Sequence, residues 1–269
     1  MRPVRLVKGN AYGNDFLLVP DDGSVADPPS FTRAACSRHL GVGADGLILF
    51  TMSDRRATMR LWNADGSASE LSGNGLRGLA AILIRAREAA GDAIDPELEI
   101  STTAGLRRLL LTGRDGSRYV LDADMGQPSG LTQQILSAAG ETVTVSVLSM
   151  GNPQCVLLGP IPDDERFARL GPALEHHASF PNGTNVEFAL VEAPDRVRIR
   201  IWERGVGPTE SSGTGSCAAA VVAAAHGGAQ RRVEVVAPGG GQWVEWTDAG
   251  VRLTGWAEIL CEGQFLPEW

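Results

Sequence analysis

Short runs of β-branched and apolar residues recur along the chain, each closed by glycine, proline or aspartate, and this spacing predicts a molecule built mostly from strands. Strands are predicted at residues 4–7, 16–19, 46–51, 58–62, 106–112, 119–123, 143–148, 155–158, 185–191, 197–202, 232–237, 242–246 and 251–253. Helical patterns are fewer and fall at 30–39, 74–89, 164–170 and 215–225. The turn-rich stretch at 126–130 is placed as the crossover between two halves, 1–126 and 127–269.

Each half carries the same polar interruption of that pattern. Laying residues 61–84 over 201–224 aligns Trp62 with Trp202, Glu70 with Glu210, and Ser72-Gly73-Asn74-Gly75 with Ser212-Gly213-Thr214-Gly215, at a constant offset of 140 residues. Gly66 falls one place from the aligned Gly207. An offset this long is no solenoid period and implies a duplicated half-domain. In each copy a strand and a loop lead into a Ser-Gly-x-Gly corner and then an apolar helical stretch. Glycine lets the backbone approach a ligand closely, and the first helical turn offers N–H donors at the positive end of its dipole. A carboxylate fits there. One such corner is also an ordinary N-cap followed by a turn. Two in register suit a proton transfer from one face of a carbon to the other.

With 269 residues, 43% of them apolar, the chain can bury a sizeable core without disulfides. Cys36, Cys155, Cys217 and Cys261 show neither a C-x-x-C spacing nor a framework pattern, which fits a reducing cytosol. No export signal or membrane span is expected, since the apolar stretch 217–225 is too short to cross a bilayer. The net charge of −8, without a basic cluster, argues against a nucleic-acid surface. The expected partner is a small polar molecule, and a homodimer is left open.

At the corners and beyond them the sequence resembles the diaminopimelate epimerase family. The resemblance extends to residues 8–16 (K-G-N-A-Y-G-N-D-F), 38–46 (R-H-L-G-V-G-A-D-G), 149–153 (S-M-G-N-P), 183–188 (G-T-N-V-E-F) and 203–207 (E-R-G-V-G), in the family's order. It implies an α/β (α+β) fold of two pseudo-symmetric lobes, each a barrel-like, mostly antiparallel sheet around a central helix. The active site would lie in the cleft between them, and the last segment would pack back on the N-terminal lobe. It further implies a cytoplasmic isomerase that needs neither pyridoxal phosphate nor metal and converts LL-diaminopimelate to the meso form, on the lysine and peptidoglycan route. Carried over residue by residue, Ser72 and Ser212 take the catalytic positions. Asn14, Asn63, Asn152, Asn185, Glu203 and Arg204 recognise the substrate, and the backbone of Gly73-Asn74 and Gly213-Thr214 holds its α-carboxylate. These residue types suit the task, because amides both donate and accept, Arg204 supplies a carboxylate fork and Glu203 takes an ammonium.

The family's two catalytic positions are cysteines, and here both are serine. A thiol with a pKa of about 8.5 can be poised as a thiolate and thiol pair, whereas a hydroxyl must pass its proton to an adjacent base. Glu70 and Glu210, two residues before each serine, are candidates, although acidic residues also simply favour helix starts. Cys217, five residues past Ser212, reads as a small buried apolar residue. Asp15 and Asp45 read as caps or turn residues and stay outside the catalytic set. Gln154 stands where the family has histidine, and Trp256 where proline is expected. Open alternatives are a serine-type member acting on another amino acid as racemase or dehydratase, a Cys-to-Ser variant, and an amino-acid-binding protein that has lost its bases.

Overall fold

The computed structural model describes residues 3–53, 56–92 and 95–266. Its contacts divide the chain into one unit of Met1–Ala123 with Gly255–Trp269 and a second of Asp124–Thr254.

The first unit runs β1 (Val4–Ala11), β2 (Asn14–Pro20), α1 (Pro28–Cys36), β3 (Gly46–Ser53), β4 (Arg56–Asn63), β5 (Ala68–Ser69), α2 (Gly73–Ala90), β6 (Glu97–Thr102), β7 (Gly105–Asp115) and β8 (Arg118–Gly126). The chain then continues through β9 (Ser129–Ala138), β10 (Glu141–Ser149), β11 (Pro153–Leu158), α3 (Asp164–Glu175), β12 (Asn185–Ala193), β13 (Arg196–Glu203), β14 (Gly207–Thr209), α4 (Gly213–His226), β15 (Arg232–Ala237), β16 (Gly240–Thr247) and β17 (Gly250–Phe265). From β1 and from β10 the same succession follows: two strands, a helix, three strands, a helix, three strands. Pairing repeats too. β2 runs parallel to β3 and β4 to β6, just as β11 runs parallel to β12 and β13 to β15, while β1–β2, β3–β4, β12–β13 and β15–β16 are antiparallel.

In each unit the strands carry one helix outside and one inside. Alternate strand residues point to opposite faces, so Leu47 and Leu49 of β3 meet Phe31 and Ala35 of α1, and Val186 and Phe188 of β12 meet Phe167, Leu170 and Leu174 of α3. The residues between them, Ile48 and Glu187, turn inward to α2 and α4. Both inner helices are buried all round in their first three turns, from Gly73 to Ile84 and from Gly213 to Ala223. That explains their near-continuous apolar sequence, since a helix enclosed by a sheet has no wet face. No helix among the described residues is long and apolar enough to cross a membrane.

Several boundaries differ from the expectation. α1 begins earlier, because Asp27 caps it and Pro28 and Pro29 suit a first turn, and it ends at Cys36, where Ser37 turns extended and its hydroxyl accepts from Leu40 N–H. α3 continues past Pro172 to Glu175, since Leu174 is fully buried and the Glu175 carboxylate accepts from Trp202 Nε1 and Gly205 N–H. β9, within and beyond the expected crossover, is mostly exposed and rich in Ser, Thr and Gln, so it lacks apolar alternation. β6, β5 and β14 were likewise not anticipated, and β17 extends far beyond 251–253 by pairing with β16 and then with β1.

Candidate active site

In the first unit the corner is an N-cap. Ser72 sits extended before α2, and its Oγ accepts from Gly75 N–H at 3.1 Å. A β-carbon on Gly75 would lie 2.8 Å from Ile48 Cδ1, so only glycine lets the helix start seat this closely on β3. Asn74 donates from Nδ2 to Asn14 Oδ1 at 3.0 Å, and its own Oδ1 accepts from the Arg77 guanidinium. Arg77 is fully buried, with its guanidinium over the Tyr12 ring. Asn14 in turn donates to Asp45 Oδ2 at 2.9 Å. Asp15 pairs with Lys8 and Arg38, each at 2.9 Å, and Arg38 also reaches Asp45. Burial pushes the Asp15 carboxyl up, but Arg38 and Lys8 outweigh it and hold it below the usual range; Asp45 is raised, by burial first and by its neighbour Asp15. Asp45 thus holds the Asn14 amide, and each aspartate carboxylate accepts from the other's backbone N–H, at 3.1 Å on Asp15 and 3.0 Å on Asp45. Asn63 is occupied in the turn that follows β4, donating to Ser67 Oγ at 3.0 Å.

The second unit repeats the backbone and changes its side chains. Ser212 caps α4, and its Oγ accepts from Gly215 N–H at 3.1 Å. Asn152 donates to Thr214 Oγ1 at 3.2 Å, as its counterpart Asn14 accepts from Asn74. Gln154 donates to Asn152 Oδ1 at 2.6 Å, fixing the amide from behind. Asn185 donates to the Pro153 carbonyl and accepts from Arg204 N–H, both at 3.0 Å. Glu203 ends β13 one residue before Arg204, and both are half-buried. In each unit, then, the cap serine and its asparagine meet at a helix N-terminus free of acidic residues in its first turn. That terminus favours an anion by its dipole and N–H groups.

Glu70 is half-buried, and its carbonyl accepts from Thr103; Glu210 is exposed, and its carbonyl accepts from Gly239 N–H. Neither Glu210 nor its backbone supplies the partner seen at Ser212 Oγ, which is Gly215. Cys217 lies fully buried within α4, and Trp256 stacks on Tyr12 with ring centroids 4.4 Å apart.

The residue not anticipated is Glu187. It is fully buried on β12, and neither carboxylate oxygen has a hydrogen-bond partner. The signal was its spacing: two places after Asn185 on a strand puts it on the same inward face.

The model of the family described as "Diaminopimelate epimerase" matches residues 6–130 and 146–260. The chain is 41% identical to the diaminopimelate epimerase of Desulforudis audaxviator, over 98% of this chain and 99% of that one. It is 38% identical to the diaminopimelate epimerase of Moorella thermoacetica, over 97% and 99%. In fold it is similar to a probable proline racemase from Agrobacterium radiobacter (TM-score 0.76, 17% identity, 98% of this chain and 93% of that one). It is also similar to a hydroxyproline epimerase from Agrobacterium vitis (TM-score 0.73, 16% identity, 98% and 91%). With the family match spanning nearly all of the sequence, this chain belongs to the diaminopimelate epimerase family.

Proposed function

We propose that the chain inverts the α-carbon of diaminopimelate, converting the LL to the meso form in the cytoplasm without an organic cofactor. The observation that carries this reading is the pair of Ser-Gly-x-Gly helix caps, one in each unit, on a chain of this family. Inversion needs a group that removes the α-proton and another that returns a proton to the opposite face. Ser72 and Ser212 take those two roles. The first N–H groups of α2 and α4, at Gly73-Asn74 and Gly213-Thr214, receive the α-carboxylate and stabilise charge as the proton leaves. Asn14, Asn63, Asn152 and Asn185 orient polar substrate atoms, Arg204 takes a carboxylate and Glu203 an ammonium.

A rival reading is a protein that binds the amino acid without turning it over. It draws on the hydrogen bonds of Ser72 and Ser212 to glycine N–H groups, which an inert cap would also make. Proton NMR in D₂O separates the two. With LL-diaminopimelate, and then with other amino acids, the epimerase exchanges the α-hydrogen. Ligand-induced thermal stabilisation without exchange for any of them overturns the proposal.

A further inference from the structure

A serine hydroxyl needs a proton acceptor beside it to act as a base, and the pairs two residues upstream do not provide one at Ser212. The second unit holds another carboxyl in reach. The point where a β-carbon of Gly215 would sit lies 2.6 Å from Glu187 Oε1 and 3.1 Å from Ser212 Oγ, so the two oxygens flank one small space, at most about 5.7 Å apart. Glycine at 215 is what keeps that space open.

The first unit offers an internal comparison. Ile48 pairs with Leu61, and Glu187 pairs with Ile201, which is the repeat partner of Leu61, so Ile48 and Glu187 are equivalent positions. Ile48 Cδ1 meets the corresponding point on Gly75 at 2.8 Å. The same wall of the same corner is therefore a methyl group in one unit and a carboxyl in the other. A structural wall needs no acid, and a buried carboxyl without partners is costly unless it stays protonated.

We propose that Glu187 is the positioning residue of the second corner, exchanging a proton with Ser212 Oγ and so enabling Ser212 to gain or lose a proton at the substrate α-carbon. The inference rests on the epimerase reading and deepens it. In one direction the α C–H bond breaks toward Ser212 Oγ, its electron pair staying on carbon, while the Ser212 O–H proton passes to the Glu187 carboxylate. In the other, the Glu187 acid returns a proton to Oγ as the Ser212 hydroxyl proton goes to the carbanion. Protons balance and no oxidant or reductant is involved. Burial, and after it the neighbouring Glu203 of β13, raises Glu187 well above the usual carboxylate range. A further titratable neighbour is Cys155 on β11, itself pushed up by burial and then by Glu187.

The test compares wild type, Glu187→Gln and Glu187→Ile, the last giving this corner the wall that the first already has. Expected are a fall in kcat of at least about 100-fold with KM within about threefold, and loss of one limb of the kcat/KM pH profile. Placing a thiol by Ser212→Cys should shrink the effect of Glu187→Gln at least about tenfold, because a thiol ionises without help. A merely structural glutamate would lose activity equally in both backgrounds and keep the wild-type pH profile, and either result overturns the inference. If wild type exchanges no α-hydrogen with any amino acid, the epimerase reading fails instead. The relay is then judged by infrared spectroscopy. A carboxylic-acid carbonyl band at neutral pH, absent in Glu187→Ile and moved by Ser212→Ala, supports it; no such band, or one indifferent to Ser212, overturns it.

Discussion

The two corners share a backbone and differ in what stands behind the serine. Ser72 and Ser212 have closely matching backbone angles, φ −134°, ψ 122° and φ −136°, ψ 127°, and each accepts from the glycine N–H three residues on at 3.1 Å. Behind Ser72 lies Ile48, and the polar chain leads sideways from Asn74 to Asn14 and on to the ion pairs of Asp15, Asp45, Lys8 and Arg38. Behind Ser212 lies Glu187, and the chain from Thr214 through Asn152 ends on the uncharged Gln154. One corner keeps its charges beside the serine's helix and the other keeps a carboxyl beneath it. The two units share the device that presents N–H groups, and they differ in the side chains that surround each hydroxyl.

The largest effect that tests this contrast comes from the serines. Ser72→Ala and Ser212→Ala are each expected to lower kcat by at least about 10³-fold, measured by steady-state turnover. Each also loses a cap worth about 1 kcal/mol, a fall in melting temperature of about 2–4 °C. Activity surviving in either variant would break the requirement for a hydroxyl at both corners.

Exchanging the walls comes next. Ile48→Glu buries a carboxyl in an apolar position and is expected to cost about 1–3 kcal/mol by chemical denaturation, without raising turnover. Glu187→Ile is expected to be no less stable than wild type at neutral pH and to lose turnover. Equal stability losses in both exchanges would show that the two walls do not differ in kind.

A smaller effect concerns pH. The folded pKa of Glu187 lies above its unfolded value of about 4.3, so its neutral form is favoured in the fold and stability drains away as pH rises above that value. Glu187→Gln lacks this drain. Its melting temperature relative to wild type should therefore climb as pH rises above that unfolded value, and a flat difference would remove Glu187 as a buried, pH-dependent cost.

The smallest is at the first corner. Asp15 is held below its unfolded value of about 3.9, so its contribution is present above that pH and lost as pH falls through the folded pKa. Arg38→Met should weaken it, moving the acid-unfolding midpoint slightly upward. Arg38 also lowers Asp45, whose net shift stays upward through burial, so removing Arg38 raises both carboxyls.

Much of this was legible along the chain. The repeat, the Ser-Gly-x-Gly corners and the inner helices follow from local signals, because glycine spacing, a capping serine and an apolar run are properties of neighbouring residues. Ends of elements were less so: Pro172 reads as a helix stop, yet Leu174 and Glu175 hold another turn in place through partners on β13 and the turn after it, far away in sequence. β9 carries no alternation, and only its ladder to β10 makes it a strand.

The sequence by itself determined the family, the duplicated architecture and the two serines that cap the inner helices. The tertiary structure decided what each serine faces. Ile48 and Glu187 lie 139 residues apart, one short of the offset that relates the corners, so a strict overlay of the sequence pairs Glu187 with Leu47. Strand register, fixed by long-range hydrogen bonds and by which face packs on the outer helix, restores the true equivalence and brings one buried acid to one of two otherwise like corners.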